Sequence, residues 1–216
     1  MEIREVYKKF NIPPNLAEHM INVASVLELI KENWQGEKID WARLIRAGLL
    51  HDLGNIVKFD MDKYPDFMGE EKGRIDYWKK VQEEIIEKYG EDDHEVTEKM
   101  LKEIGEDLEV VEIVLDKSFW KSIEIVEGED LETKLLLYAD LRTGPLGLMT
   151  LKERVDDIND RMPKYSKRPD FPEMVESIYA LGREIGNNLK IPVEEINDEN
   201  IEKFKENFKN SITSIR

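Results

Sequence analysis

The sequence predicts an all-α fold, a compact multi-helix bundle with an additional C-terminal helical segment. Three observations carry that expectation. Apolar residues recur at helical spacing, as in Leu16, Met20, Val23, Leu27 and Ile30. Prolines, glycines and capping residues punctuate the chain between such stretches. No segment alternates apolar and polar residues as a half-buried strand does. The chain has 216 residues, room for one large domain or two small ones. No linker divides it, so 1–190 reads as one helical domain and 191–216 as a peripheral helix packed on it.

Taken in order, Ile12-Pro13-Pro14-Asn15 is a stop-and-start signal, and the helix after it carries the Leu16 to Ile30 stripe, with His19 on its shoulder. Gly36 breaks that pattern. Asp40 then caps a helix over 41–53 with Leu44, Ile45, Gly48 and Leu49 inward, and the short polar connection favours antiparallel packing. Residues 56–73 read as a loop, long enough to serve as a lid or binding loop. Helices follow over 74–89, from the Asp92-Asp93 cap to Gly105, over 108–115 and over 131–141, the last stopped by Arg142-Thr143-Gly144-Pro145. Thr150, with Glu153 in the capping-box position, starts a helix to Met162. A basic, proline-containing loop spans 163–172, a helix runs from Phe171 or Pro172 to about Leu189, Pro192 opens a short segment, and 200–215 closes the chain as a polar amphipathic helix.

Composition narrows the function. There is no cysteine, which excludes disulfides and thiolate metal sites. No run approaches the roughly 18 apolar residues of a membrane span, and the opening Met1 to Val6 lacks a signal-peptide pattern, so a cytoplasmic protein with no membrane partner is expected. The formal net charge of −16 disfavours binding to a nucleic acid polymer and suits a protein that attracts divalent cations.

The chemistry gathers around Leu49-Leu50-His51-Asp52-Leu53-Gly54-Asn55. Neighbours on a helix point about 100° apart, so one ion in that wedge can take an imidazole nitrogen and a carboxylate oxygen. That donor pair suits a borderline or hard divalent metal keeping open positions for water. The chain holds 3 histidines, His19, His51 and His94, all on or beside apolar helix stripes. Asp140 follows the apolar run Leu137-Tyr138-Ala139 and reads as buried, where an unpaired carboxylate is costly and a metal shared with the histidines would satisfy it.

The order His19, His51-Asp52, Asp140, with the contexts Leu50-His51-Asp52-Leu53-Gly54 and Tyr138-Ala139-Asp140, resembles the H…HD…D pattern of the HD-domain metal-dependent phosphohydrolases over about residues 16–165. The resemblance implies a bundle of HD-domain type and metal ligands His19, His51, Asp52 and Asp140. It implies hydrolysis of a phosphate ester of a small molecule, often a nucleotide. The cofactor would be a divalent ion, Mn, Mg, Fe, Co, Ni or Zn, and Asp52 would bind it with one oxygen and orient water with the other. Substrate contacts are expected from His94, Lys117, Arg142, Arg154 and Arg161, the last three because they trail Asp140.

The chain departs from the family pattern twice. Many members carry Lys or Glu three residues after the paired aspartate, where this chain has Asn55, which can orient water or phosphate but cannot act as acid or base. Binuclear members supply two further histidines; His94 matches one, but the other position falls at Leu115-Asp116-Lys117. One metal per chain is therefore favoured, with Asp116 as the alternative second-metal ligand. A non-catalytic metal- or nucleotide-binding regulatory module of the same fold is the rival reading, a helical interaction protein a third, and a homodimer is compatible with all of them.

Overall fold

The computed structural model describes residues 1–213, apart from the side chains of Pro163, Tyr165 and Thr213. Its elements in chain order are α1 (Ile3–Lys9), α2 (Pro14–Asn33), α3 (Trp41–Leu50), 3-10 turns at Asn55–Lys58 and Pro65–Arg74, α4 (Ile75–Tyr89), α5 (Asp93–Glu103) and α6 (Leu108–Asp116). After a 3-10 turn at Phe119–Lys121 come α7 (Ser122–Glu127), α8 (Leu131–Leu141), β1 (Thr143–Gly144) paired antiparallel with β2 (Gly147–Leu148), α9 (Leu151–Arg161), α10 (Pro163–Ser166), α11 (Phe171–Asn187) and α12 (Asp198–Thr213). The fold is all-α with one minimal hairpin. No helix among the described residues is long and apolar enough to cross a membrane.

Helix α2 is the axis of the bundle. The sequence suggests a single apolar stripe, but Ile21, Asn22, Ser25, Val26 and Leu29 are buried as well as Met20, Val23, Leu27 and Ile30. A helix buried on nearly every face must be enclosed by several neighbours. Here α3, α8 and α12 do so. Ser25 is tolerated there because its hydroxyl donates to Ile21 O at 2.7 Å. α12 lays Ile201 and Phe204 against the bundle, and Lys203–Glu32 and Lys209–Glu18 pairs fringe the contact. The expected helix over 200–215 begins earlier, at Asp198, and its last residues lie outside those described.

Three expectations change. The helix expected to reach Leu53 ends at Leu50, because the chain tightens there: Leu53 N–H bonds back to Leu50 O, and the Tyr7 hydroxyl of α1 takes Leu49 O at 2.7 Å. The expected loop over 56–73 is largely 3-10 turns, bent at Gly69, whose φ of 56° suits glycine. Helices α1 and α7 and the β1–β2 hairpin are too short for periodicity to reveal, and the expected loop over 163–172 opens with the one-turn helix α10.

Gly54 sets the distance between the end of the α3 turn and the start of α5. A Cβ there would lie 2.7 Å from Asp93 O and Thr97 N, while the Gly54 N–H donates to Thr97 Oγ1 at 3.0 Å. Gly54→Ala is expected to destabilise the fold by about 1–3 kcal/mol through forced backbone movement. Urea unfolding measures it, and an unchanged midpoint would contradict this close packing.

Candidate metal centre

Three local events place four side chains. His19 stands one residue from buried Met20 on α2, so it looks out along the edge of the core. His51 is the C-cap of α3 and Asp52 begins the tight turn after it. Asp140 lies in the last turn of α8, one turn beyond buried Leu136 and Leu137. One ligand atom from each of His19, His51, Asp52 and Asp140 lies within 4.8 Å of the others.

The distances are those of ligands around one ion. His19 Nε2 is 3.1 Å from Asp140 Oδ1 and 3.5 Å from Asp52 Oδ2; His51 Nε2 is 3.4 Å from Asp52 Oδ1 and 3.5 Å from Asp140 Oδ1. Neighbouring ligands at about 2.1 Å from a metal stand roughly 3 Å apart. His51 supplies the sharper test. Its ring is buried, its Nδ1 is 2.8 Å from Gly48 O, and its Nε2 has no hydrogen-bond partner. Donating Nδ1–H to a carbonyl fixes the tautomer and aims the Nε2 lone pair at the cluster, the arrangement of a metal-ligating histidine. At 3.5 Å from Asp140 Oδ1, that nitrogen stands at ligand–ligand distance and not at hydrogen-bond distance. Two imidazoles and two carboxylates fit a divalent first-row ion with positions left for water and substrate.

Lysine 117 sits against this cluster. Its Nζ is 2.9 Å from Asp140 Oδ2 and 3.6 Å from Asp52 Oδ1, and the residue is buried. Burial would raise both carboxyl pKa values, yet the adjacent His51 imidazole and Lys117 ammonium at Asp52, and Lys117 with the His19 hydrogen bond at Asp140, hold both well below the usual range. Burial likewise pulls Lys117 down, but the two carboxylates outweigh it and its pKa is raised. Asn55 donates its amide to Asp52 Oδ2 and so fixes the carboxylate's rotation.

The cluster opens on a cavity of about 630 Å³. Its walls include Phe59, Met61, Tyr64, Phe67 and Met68 from the segment read as a binding loop, with Tyr64 and Phe67 stacked at 5.3 Å. His94 lines it, edge-on to Trp120 at 4.6 Å, and burial followed by the charges of Lys117 and Lys58 lowers its pKa. Arg154 and Arg161 also line it, both anchored by Asp157 one turn away on α9.

Arg142 does not reach the cavity, which corrects the expectation that it contacts substrate. Its Nε donates to Met149 O, and its two terminal nitrogens to Tyr138 Oη, Val193 O and Ile196 O. The reason is helical geometry: residues two apart point about 200° apart, so if Asp140 faces the site Arg142 faces away. It holds α8 to the hairpin and to the segment before α12. Asp116 is turned out as well, its side chain 63% exposed and 3.6 Å from Lys121, which closes it as a second-metal ligand. Sequence reasoning passed over Ser118, buried beside Lys117 on the cavity wall, and Asp157, legible only as the acidic member of an i, i+3, i+7 set with Arg154 and Arg161.

Residues 16–161, more than half of the chain, match the model of the family described as HD domain. No curated protein and no solved structure shows a significant match.

Proposed function

We propose, from the premise that this chain belongs to the HD domain family, that it is a metal-dependent phosphohydrolase cleaving a phosphate ester of a small molecule. The observation that carries the reading is His51, whose buried, unpartnered Nε2 points into a cluster of one further histidine and two ionised aspartates beside a substrate-sized cavity. A divalent ion held there would supply Lewis acidity, acidifying water and neutralising charge on the phosphoryl oxygens. His19, His51, Asp52 and Asp140 would hold it. The chain's own groups do the rest. Asp52 has two oxygens, so one can bind metal while the other accepts a hydrogen bond from the attacking water and orients it. Asn55 keeps that carboxylate in place. Lys117 and the Arg154–Arg161 pair give the cavity positive charge where a phosphate would lie, and His94, Tyr64, Phe67 and Trp120 offer flat faces for an organic group such as a nucleobase.

The test is hydrolysis of a chromogenic phosphate ester by purified protein with and without Mn²⁺. Turnover that needs the metal supports the reading. Metal bound tightly with no turnover across a panel of monoesters, diesters and nucleotides would instead favour the regulatory module, the reading that Asn55, lacking acid–base capacity, also favours.

Asn55→Ala should lower turnover by about tenfold, the value of one hydrogen bond to a charged group. Its amide positions Asp52 but exchanges no proton at neutral pH, so the pH profile should keep its shape. A complete loss of activity in this variant, with metal still bound, would show that Asn55 does more than position.

A further inference from the structure

Buried polar atoms without partners are costly, so where they collect is informative. Among the described residues six such side-chain atoms occur, and four of them, Asn15 Oδ1, His51 Nε2, Ser118 Oγ and Arg154 Nε, belong to residues lining the one cavity beside the metal centre. His51 is accounted for by the metal, and Asn15 Oδ1 is an acceptor, suited to a donor on a ligand. The other two are donors. Ser118 stands where a serine commonly caps the following helical turn, yet its hydroxyl makes no capping bond. Arg154 uses a terminal nitrogen on Asp157 Oδ2 at 3.1 Å and leaves Nε unused. Lys117, the residue before Ser118, lines the same cavity as Arg154. Lys117, Ser118 and Arg154 thus put two cations and a hydroxyl on the wall of one cavity, and a small side-chain rotation that uncovers the two unfilled donors would offer them to an anion.

We propose that Lys117, Ser118 and Arg154 form the subsite for the phosphoryl oxygens that face away from the metal. This deepens the phosphate-ester reading and rests on it. Lys117 Nζ would take one oxygen while still touching Asp140. Ser118 Oγ would donate to a second after rotation about χ1, and the Arg154 guanidinium would close on it from α9, held at the correct height by Asp157. Charge-assisted bonds of this kind are short and strong, and they would hold the phosphoryl group in line for displacement while negative charge moves onto the leaving oxygen. The unfilled donors are then stability given up in the free protein for binding.

The experiment is calorimetric titration of inorganic phosphate into Mg²⁺-loaded protein, run beside thermal melting and the chromogenic ester assay. Ser118→Ala should weaken phosphate binding on the order of tenfold while leaving the melting temperature unchanged or higher, because the hydroxyl it removes has no partner. Arg154→Lys keeps the charge and a reach to Asp157 but has no Nε, and should weaken binding by a similar factor. Lys117→Gln should weaken it further; if that variant does not fold, the first two still decide. Wild-type phosphate affinity in both Ser118→Ala and Arg154→Lys would overturn the subsite. The ester assay separates the two levels. Wild-type protein that hydrolyses esters while the variants bind phosphate normally refutes only the subsite. Protein that binds phosphate through these residues yet hydrolyses nothing refutes only the catalytic reading.

Discussion

Asp52→Ala should abolish ester hydrolysis while leaving the helical fold intact. Two contributions vanish together. One is a metal ligand, and removing even a group that merely orients a ligand typically lowers metal affinity by about 10–100-fold. The other is the oxygen that orients water, for which losses of about 10²–10⁴-fold in rate are usual. The fold should survive because Asp52 lies outside α3, in the turn after it, and its contacts to His19 at 3.5 Å and Lys117 at 3.6 Å are longer than those the same two residues make to Asp140, 3.1 and 2.9 Å. In the metal-free protein its removal also relieves repulsion from Asp140, while Lys117 keeps its shorter contact, 2.9 Å to Asp140 against 3.6 Å to Asp52. Circular dichroism should match wild type, metal analysis should show loss of the ion, and turnover should fall below detection. Asp52→Asn should separate the parts, since an amide oxygen can still touch metal but cannot accept a proton. Wild-type turnover by Asp52→Ala at saturating Mn²⁺ would show that the water is oriented by some other group.

How much of this was legible in the sequence depends on how local the signal is. α2, α5, α6 and α8 announce themselves by periodicity and by Asp or Pro at their starts, and the Thr150–Glu153 capping box of α9 forms as read. The ligand cluster was legible because each member sits on or beside an apolar face of a long element, and buried faces must converge in a single core. Arg142 was misread because proximity along the chain was allowed to stand for proximity in space, although the same periodicity that turns Asp140 inward turns Arg142 outward. Ser118 was illegible for the opposite reason: it lies in a break between α6 and the turn that follows, where no period applies. The wall built by Tyr64, Phe67 and Met68 was foreseen as a functional loop, but its 3-10 turns depend on packing against α2 and α4 that no local pattern encodes.

The site should hold one metal and not two. A second ion bridged to the first by Asp52 would stand about 3.5–4 Å away, and a buried ammonium already occupies that side of the cluster, with Lys117 Nζ 2.9 Å from Asp140 Oδ2 and 3.6 Å from Asp52 Oδ1. An ammonium has no lone pair to donate, and it repels a cation 4 Å away by roughly 4 kcal/mol per unit charge at an effective dielectric near 20. For a divalent ion that amounts to several powers of ten in affinity. The remaining ligands do not offset it: His94 is one imidazole packed on Trp120, and Asp116 faces outward toward Lys121. Lys117 would therefore do in part what a second metal does, adding positive charge beside the phosphoryl group. Calorimetric titration with Mn²⁺ should give one tight ion per chain, and anomalous scattering from crystals grown at high Mn²⁺ should show one strong peak among His19, His51, Asp52 and Asp140. Lys117→His removes the charge and supplies a nitrogen on the same side as His94, and should raise the stoichiometry toward two. Two tight ions in the wild-type protein, bridged by Asp52, would mean that Lys117 swings out of the cluster on metal binding, and His94 would then become a ligand.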